Sequence, residues 1–145
     1  MTSPRAERGF TLIEMIVVLA VLALVAGLVL TRGPQRSAAL EMRAASAAVA
    51  QTLRLARSRA IAGNQPVPVQ FDPRAAAFRL GSDPVRSLPR GFALAVTVAE
   101  GQGASILFLP DGSSTGGKVA LAGGGRAAQV GVDWLTGRVS VAYGG

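Results

Sequence analysis

One carboxylate, Glu14, lies near the start of an apolar segment, and its position suggests a chemical role. From Phe10 to Leu30 the chain has 21 residues, and Met15 to Leu30 is unbroken apolar sequence when Gly27 is counted. As a helix, this segment spans roughly 32 Å, which matches the hydrocarbon core of a bilayer. A carboxylate in a membrane helix costs about 2.5–3.5 kcal/mol, and less near the end of the helix. We therefore interpret Glu14 as a functional group that requires a partner.

The composition excludes much of the remaining catalytic and metal chemistry. The chain has no Cys and no His, so it lacks thiolate and imidazole metal ligands and the nucleophile systems built on them. Ser113 and Ser114 have no base to activate them, and Lys118 lacks the spacing of a phosphate-binding loop. Asp111 has no acidic partner at the spacing of a calcium loop. We expect an ordinary turn here, and a chain with no enzyme activity, cofactor or metal.

The apolar segment has two simpler interpretations. A secretory signal peptide has a shorter apolar region that a small-x-small cleavage site follows directly, whereas the nearest candidate here, residues 37–39, lies well beyond the run. A simple membrane anchor would fit the apolar residues, but it would leave Glu14 unexplained.

The residues around Glu14 resemble a known leader junction. Residues 8–14 read RGFTLIE, with a charged leader before them and the long apolar run after them. This pattern is similar to the class III leader of type IV pilins and pseudopilins. The resemblance implies that a prepilin peptidase removes residues 1–9 by cutting between Gly9 and Phe10, and then methylates the amino group of Phe10. It also implies that Glu14 meets the N-terminal amine of a neighbouring subunit and so sets the axial register during assembly.

Charge does not decide the orientation of the predicted membrane segment, residues 10–31. Arg5 and Arg8 precede it, while Arg32, Arg36 and Arg43 follow it, so the positive-inside rule does not place the N-terminus in the cytoplasm. The resemblance does, because the peptidase acts on the cytoplasmic face. We therefore expect a single-pass protein of the bacterial inner membrane with its C-terminal domain in the periplasm.

Residues 32–62 read as a soluble helical stem. Gly33-Pro34 should kink or loosen the helix, helical sequence resumes from about Gln35 to Ile61, and Gly63-Asn64 should stop it. At 100° per residue, several arginines fall within a sector of roughly 60°. We interpret this strip either as a solvated helix face or as a contact surface for lipid head groups and acidic neighbours. The candidate contact residues are Arg36, Arg43, Arg54 and Arg57.

Residues 63–145 change to a period of two, which predicts half-buried strands around one core. Gly and Pro separate the alternating segments, and residues 135–137 are predicted to form a hairpin turn. The alternation also predicts that Trp134 and Tyr143 are core residues. The fold class that follows is α+β, a long N-terminal helix packed on a C-terminal antiparallel β domain. The alternating positions are Val67, Val69, Phe71; Phe92, Leu94, Val96, Val98; Val130, Val132, Trp134; and Val139, Val141, Tyr143.

Three further stretches resemble one branch of the pilins and pseudopilins. Residues 53–61 leading to Pro66-Val67, residues 108–117 and residues 134–139 resemble the H-type minor pseudopilins of type II secretion, the GspH family with its FimT-like minor pilins. The resemblance implies a pilin-like structural subunit of a pseudopilus that assists export of folded proteins across the outer membrane. The partners it implies are the prepilin peptidase, other major and minor pseudopilins, the inner-membrane assembly platform and the lipid bilayer, with secreted cargo or the secretin as further candidates.

The alternative is a FimT-like minor pilin that acts in pilus priming or DNA uptake. The chain carries a net charge of +7, but residues 61–145 hold seven cations against five anions, and the two signs are interleaved along the chain. A DNA-binding domain should instead present a concentrated cationic face. We therefore do not expect nucleic acid as a partner.

Overall fold

A computed structural model of the chain describes residues 11–31, 38–99, 101 and 103–144. The chain divides into two compact units, Met1–Gln35 and Arg36–Gly145. The predicted kink at Gly33-Pro34 lies outside the described residues.

Within the first unit, a helix α1 extends over Leu12–Thr31. Its large apolar side chains are exposed from Leu12 to Val25, so no described residue of this unit covers them. Among the described residues, no helix meets the combined length and hydropathy required of a membrane span.

The second unit begins with a helix α2 over Ala38–Gly63, close to the predicted helical segment. Its end is a Schellman arrangement, because Gln65 N–H donates to Ala60 O at 3.3 Å and Asn64 N–H donates to Ile61 O at 3.4 Å. Asn64 takes the left-handed conformation with φ 47°, which Asn tolerates better than most residues. The predicted stop at Gly63-Asn64 is therefore confirmed, with Asn64 as the residue that turns the chain.

In the part of the chain that the structure describes, eight antiparallel strands follow and form two four-stranded sheets. The first sheet has the order β3-β2-β1-β5 and the second has the order β4-β6-β7-β8. The strands are β1 Val67–Asp72, β2 Ala77–Leu80, β3 Arg86–Ser87, β4 Ala93–Thr97, β5 Ser105–Phe108, β6 Gly117–Gly123, β7 Arg126–Val132 and β8 Val139–Gly144.

The core lies between α2 and the inner faces of the sheets. The buried residues of α2 recur at intervals of three and four, from Met42 through Val49 and Leu53 to Ala60, which is the apolar stripe of a helix packed on one side. Many of them are alanines, which let the helix approach the sheets closely. The strands contribute Val69, Phe71, Leu94, Ile106, Phe108, Val119, Leu121 and Val130. The predicted α+β fold and antiparallel β domain are confirmed.

Two predicted core residues are instead on the surface: Trp134 is 65% exposed and Tyr143 is 54% exposed. For Trp134 the reason is that β7 ends at Val132. Asp133 turns the chain there, so the period of two no longer decides which way the next side chain points. Tyr143 lies near the end of the edge strand β8, where no further strand covers its ring, and its hydroxyl accepts a hydrogen bond from Ser46 Oγ at 3.3 Å.

Candidate assembly and docking surfaces

The N-terminal end of α1 is capped by Thr11. Its hydroxyl accepts a hydrogen bond from Glu14 N–H at 3.3 Å, and its carbonyl oxygen accepts from the same group at 3.0 Å. Thr11 and Glu14 have the Thr-x-x-Glu spacing of a capping box, a signal that our sequence analysis missed. Glu14 is exposed in the first turn, where the positive end of the helix dipole stabilises a carboxylate. Gly9 and Phe10 lie outside the described residues.

The arginines of α2 differ in their surroundings. Arg43 is exposed and borders a small hollow of about 120 Å³ together with Arg126 and Tyr143. Arg57 is half-buried, and its Nε–H donates to Gly112 O at 3.0 Å. Arg54 is exposed, and its Nη2 donates a longer bond to Val139 O at 3.4 Å.

Two of the candidate contact residues, Arg54 and Arg57, therefore join α2 to the β domain through one backbone carbonyl each. The interpretation as a surface for lipids or acidic neighbours stays a prediction for Arg43, Arg54 and Arg57, and Arg36 lies outside the described residues.

The loop between β5 and β6 is stabilised by Asp111. The Asp111 carboxylate accepts hydrogen bonds from Ser113 N–H at 2.9 Å and Ser113 Oγ at 2.6 Å. The side-chain bond, followed by the backbone bond, lowers the pKa of Asp111 from its ordinary value near 3.8. This arrangement is the turn that the Asp-Gly sequence predicted, and it occupies the Ser113 hydroxyl.

The loop between β7 and β8 is stabilised in the same way, by the carboxylate of Asp133. Its carboxylate accepts from Thr136 Oγ1 at 2.7 Å and Thr136 N–H at 2.8 Å. These two bonds, with a smaller contribution from the charge of Arg138, lower the pKa of Asp133. Gly137 N–H donates to Asp133 O at 2.9 Å, and Asp133 N–H donates to Arg138 O at 3.0 Å. The predicted hairpin turn at residues 135–137 is thus confirmed.

The two loops are held against each other by the buried Ser114. Its N–H donates to Trp134 O at 2.8 Å, and its Oγ donates to Asp133 O at 3.0 Å. Gly137 adds a steric fit, because it has φ 61° and a Cβ there would overlap the carbonyl oxygen of Gly112. Arg57 binds the same carbonyl, so the loops and α2 meet at one point.

The structure shows how acidic and hydroxyl side chains are arranged among the described residues. In residues 11–31, 38–99, 101 and 103–144, no three acidic side chains come together as metal ligands. The Ser113 and Ser114 hydroxyls both donate structural hydrogen bonds. What the arrangement provides is an exposed apolar helix in one unit and a stiff pair of loops in the other.

Comparison with known proteins finds a matching family model for each of the two parts of the chain. The family model of the prokaryotic N-terminal methylation motif matches residues 4–30, and the model described as type II transport protein GspH matches residues 45–137, more than half of the chain. The type II secretion system protein H of Xanthomonas campestris pv. campestris is 34% identical over 144 residues, covering 93% of this chain and 83% of that protein. The chain belongs to the GspH family.

Solved structures agree with a GspH fold. The minor pseudopilin EpsH of Vibrio cholerae superposes with a TM-score of 0.60 at 16% identity, over 71% of this chain and 97% of EpsH. Escherichia coli GspH gives 0.56 at 17% identity, over 77% and 94% of the two chains. The type IV minor pilin FimU of Pseudomonas aeruginosa gives 0.57 at 14% identity, over 70% and 88%. At these identities the likeness concerns the fold alone, which pilins and pseudopilins share.

Membership of the GspH family makes the chain a minor pseudopilin of type II secretion, as the resemblance of residues 53–67, 108–117 and 134–139 predicted. The family is one of structural subunits, which implies interaction with other pseudopilins. The methylation motif and the family together imply a protein anchored in the inner membrane with a periplasmic domain.

Proposed function

We propose that this minor pseudopilin enters the pseudopilus through α1, after a prepilin peptidase removes residues 1–9 and methylates Phe10. The observation that carries the proposal is the methylation motif over residues 4–30 in a chain whose residues 45–137 match GspH. Gly9 would be required at the cleavage site, because an extended backbone without a side chain is the easiest for a peptidase to reach.

The exposed apolar surface of α1 supports two successive environments for this helix: first the lipid bilayer, and then a bundle of helices in the fibre. No described helix meets the criteria for a membrane span, so this part of the proposal rests on the apolar run in the sequence and on the family. The N-terminus would face the cytoplasm, and the domain from α2 onward would lie in the periplasm.

Glu14 is the proposed register residue. It is exposed at the capped start of α1, and cleavage at Gly9 would leave a cationic amine on Phe10 of each subunit. Pairing a carboxylate with an amine of the next subunit satisfies two charges that would each be costly alone in an apolar bundle. Such a pair would fix how far one helix is displaced along its neighbour.

The proposed partners follow from this assembly role. They are the prepilin peptidase, the inner-membrane assembly platform, and the major and minor pseudopilins beside this subunit in the fibre. Secreted cargo or the secretin are candidates for contacts of the periplasmic domain.

Intact-protein mass spectrometry of the protein from its native host tests the processing step. The expected mature chain begins with N-methylated Phe10, and a Gly9→Val variant should keep residues 1–9. A chain that begins at Met1, or one that begins near Leu40 after signal-peptidase cleavage, would contradict the proposal.

A further inference from the structure

The β7–β8 loop presents two large apolar side chains to solvent. Trp134, the single Trp of the chain, is 65% exposed, and Leu135 beside it is 63% exposed. Trp is highly buried on average in folded domains, and it is enriched among the residues that dominate the energy of protein interfaces. Two such neighbours on one loop therefore require an explanation other than folding.

The loop that carries them is already ordered. Asp133 binds Thr136 through two hydrogen bonds, and Ser114 binds the carbonyl oxygens of Asp133 and Trp134. The base of the Trp134 side chain is fitted against Gly116, where an added Cβ would come within 2.9 Å of Trp134 Cβ. A partner would thus lose little conformational entropy in binding this loop, since the loop is held in place beforehand.

A cationic hollow of about 450 Å³ adjoins the same loop. Its walls are Arg54, Arg57 and Ser58 from α2, together with residues 136–139. Among the described residues the one ion pair within 4.0 Å is Arg59–Asp83, so no carboxylate lies at that distance from the three arginines of the hollow. Asp133 lies on the same loop; its carboxylate accepts two hydrogen bonds from Thr136, and the charge of Arg138 also acts on it.

The guanidinium groups retain capacity for a ligand. Arg57 and Arg54 each donate one hydrogen bond to a backbone carbonyl, whereas a guanidinium carries five N–H donors. Guanidinium groups bind carboxylates in a bidentate geometry that adds both energy and direction. The hollow is therefore suited to an acidic group. Trp134 lines a neighbouring hollow with Gly116 and Lys118, and residues 136–139 of the cationic hollow follow Trp134 and Leu135 directly in the chain, so one loop carries both an apolar and a cationic part.

We propose that this surface, which we call the loop epitope (Trp134, Leu135, Arg54, Arg57 and Arg138), docks a partner protein. That protein would offer an apolar pocket for Trp134 and carboxylates for the arginines. A nucleic acid fits less well, because its phosphates would pair with the arginines but would leave the exposed aliphatic side chain of Leu135 without an apolar partner. The proposal rests on the proposed function only in that a pseudopilus subunit has protein neighbours.

Site-specific photocrosslinking in the native host tests the loop epitope. A photoreactive amino acid at Leu135 of the full chain should crosslink to one defined protein, at a segment that contains Asp or Glu. The same probe at Val85, another exposed apolar side chain, should not give that product. Trp134→Ala and Arg138→Glu should each lower the yield about tenfold or more, the range expected for hot-spot residues.

Charge reversal then decides whether the arginines act as proposed. Replacing the crosslinked acid of the partner by Arg should restore the yield in the Arg138→Glu chain, whereas the exposed Arg90→Glu is the control and should change nothing. Circular dichroism should show that all variants keep the thermal midpoint of the wild type, since the side chains changed are exposed.

Four outcomes would overturn the proposal. They are the same product from Val85, a yield that Trp134→Ala and Arg138→Glu leave unchanged, products formed with lipid alone, and failure of charge reversal to restore the product. Binding of the purified protein to duplex DNA, or to phosphatidylglycerol vesicles, that Arg138→Glu abolishes would assign the surface to those ligands instead. Correct processing at Phe10 in every variant would show that the proposed function stands whatever the result here.

Discussion

Gly137 is the position at which a single methyl group should disorganise the β7–β8 loop. It has φ 61°, and a Cβ there would overlap Gly112 O and come within 2.9 Å of Arg57 Nε. Gly125 provides a matched control, because its φ of 72° is similar and nothing lies within 4 Å of its added Cβ. Gly137→Ala and Gly125→Ala therefore share the backbone strain and differ in the overlap.

The difference in stability between Gly137→Ala and Gly125→Ala follows from the hydrogen bond that the overlap breaks. A non-glycine residue in the left-handed region costs about 1–2 kcal/mol, and Ala regains about 0.4–1 kcal/mol through the unfolded chain, so Gly125→Ala should be only mildly destabilising. In Gly137→Ala the Gly112 carbonyl must also turn away from Arg57. Loss of that charge-assisted hydrogen bond adds about 1.5–3 kcal/mol.

Thermal unfolding of the full-length protein in detergent, followed by far-ultraviolet circular dichroism, measures the effect. For a domain of this size each kcal/mol lowers the midpoint by about 4 °C, so Gly137→Ala should unfold roughly 6–12 °C below Gly125→Ala. Trp134 is the single Trp of the chain, and its fluorescence should report whether the β7–β8 loop itself has changed. Wild type and Gly125→Ala should give the same emission spectrum.

Midpoints of the two variants within about 2 °C of each other would refute this reasoning, because that interval corresponds to only about half a kcal/mol. The loop would then not depend on the fit between Gly137, Gly112 and Arg57. An unchanged Trp134 spectrum in a strongly destabilised Gly137→Ala would also count against it, since the strain would have to lie elsewhere.

Three further predictions concern the core, the assembly helix and pH. Leu53→Ala, in the core, should lower the free energy of unfolding by about 2–5 kcal/mol in denaturant titrations, whereas the exposed Leu55→Ala should change it by less than about 0.5 kcal/mol. Glu14→Ala should be cleaved normally but should reduce crosslinking to other pseudopilins in cells; wild-type assembly would exclude the register pair. Because folding lowers the pKa of Asp133 below 3.8, its stabilisation of the loop is present above that pH and is lost as pH falls through the lowered value. Trp134 fluorescence should report that loss in wild type and a smaller change in Asp133→Asn, where Asp111 of the adjoining loop still titrates.

Local chemistry made several elements predictable from the sequence. The end of α2 could be placed because Asn64 is one of the few residues that tolerate a left-handed turn. Strands β1, β4 and β7 could be recognised because one face of each is more buried than the other, which produces the period of two. The Asp111 and Asp133 turns follow from side chains that bind their own backbone.

Other features depend on contacts between distant residues. Strands β2 and β5 have four residues each and are defined by pairing with β1, so a short alternating pattern could not reveal them. Helical spacing grouped Arg57 with the other arginines, but it could not predict the contact of Arg57 with Gly112, 55 residues away. Trp134 was assigned to the core because the alternation gave no sign that β7 ends at Val132.

Deletion of the gene in the native host, with complementation, tests the assignment to type II secretion most directly. The measurement is the fraction of folded enzymes that reaches the medium, with pilus-dependent DNA uptake measured in the same strains. We predict that the deletion retains these enzymes in the periplasm, that the wild-type chain restores their release, and that a chain with Gly9→Val does not. Normal secretion together with lost DNA uptake would contradict the account and would assign the chain to a type IV pilus.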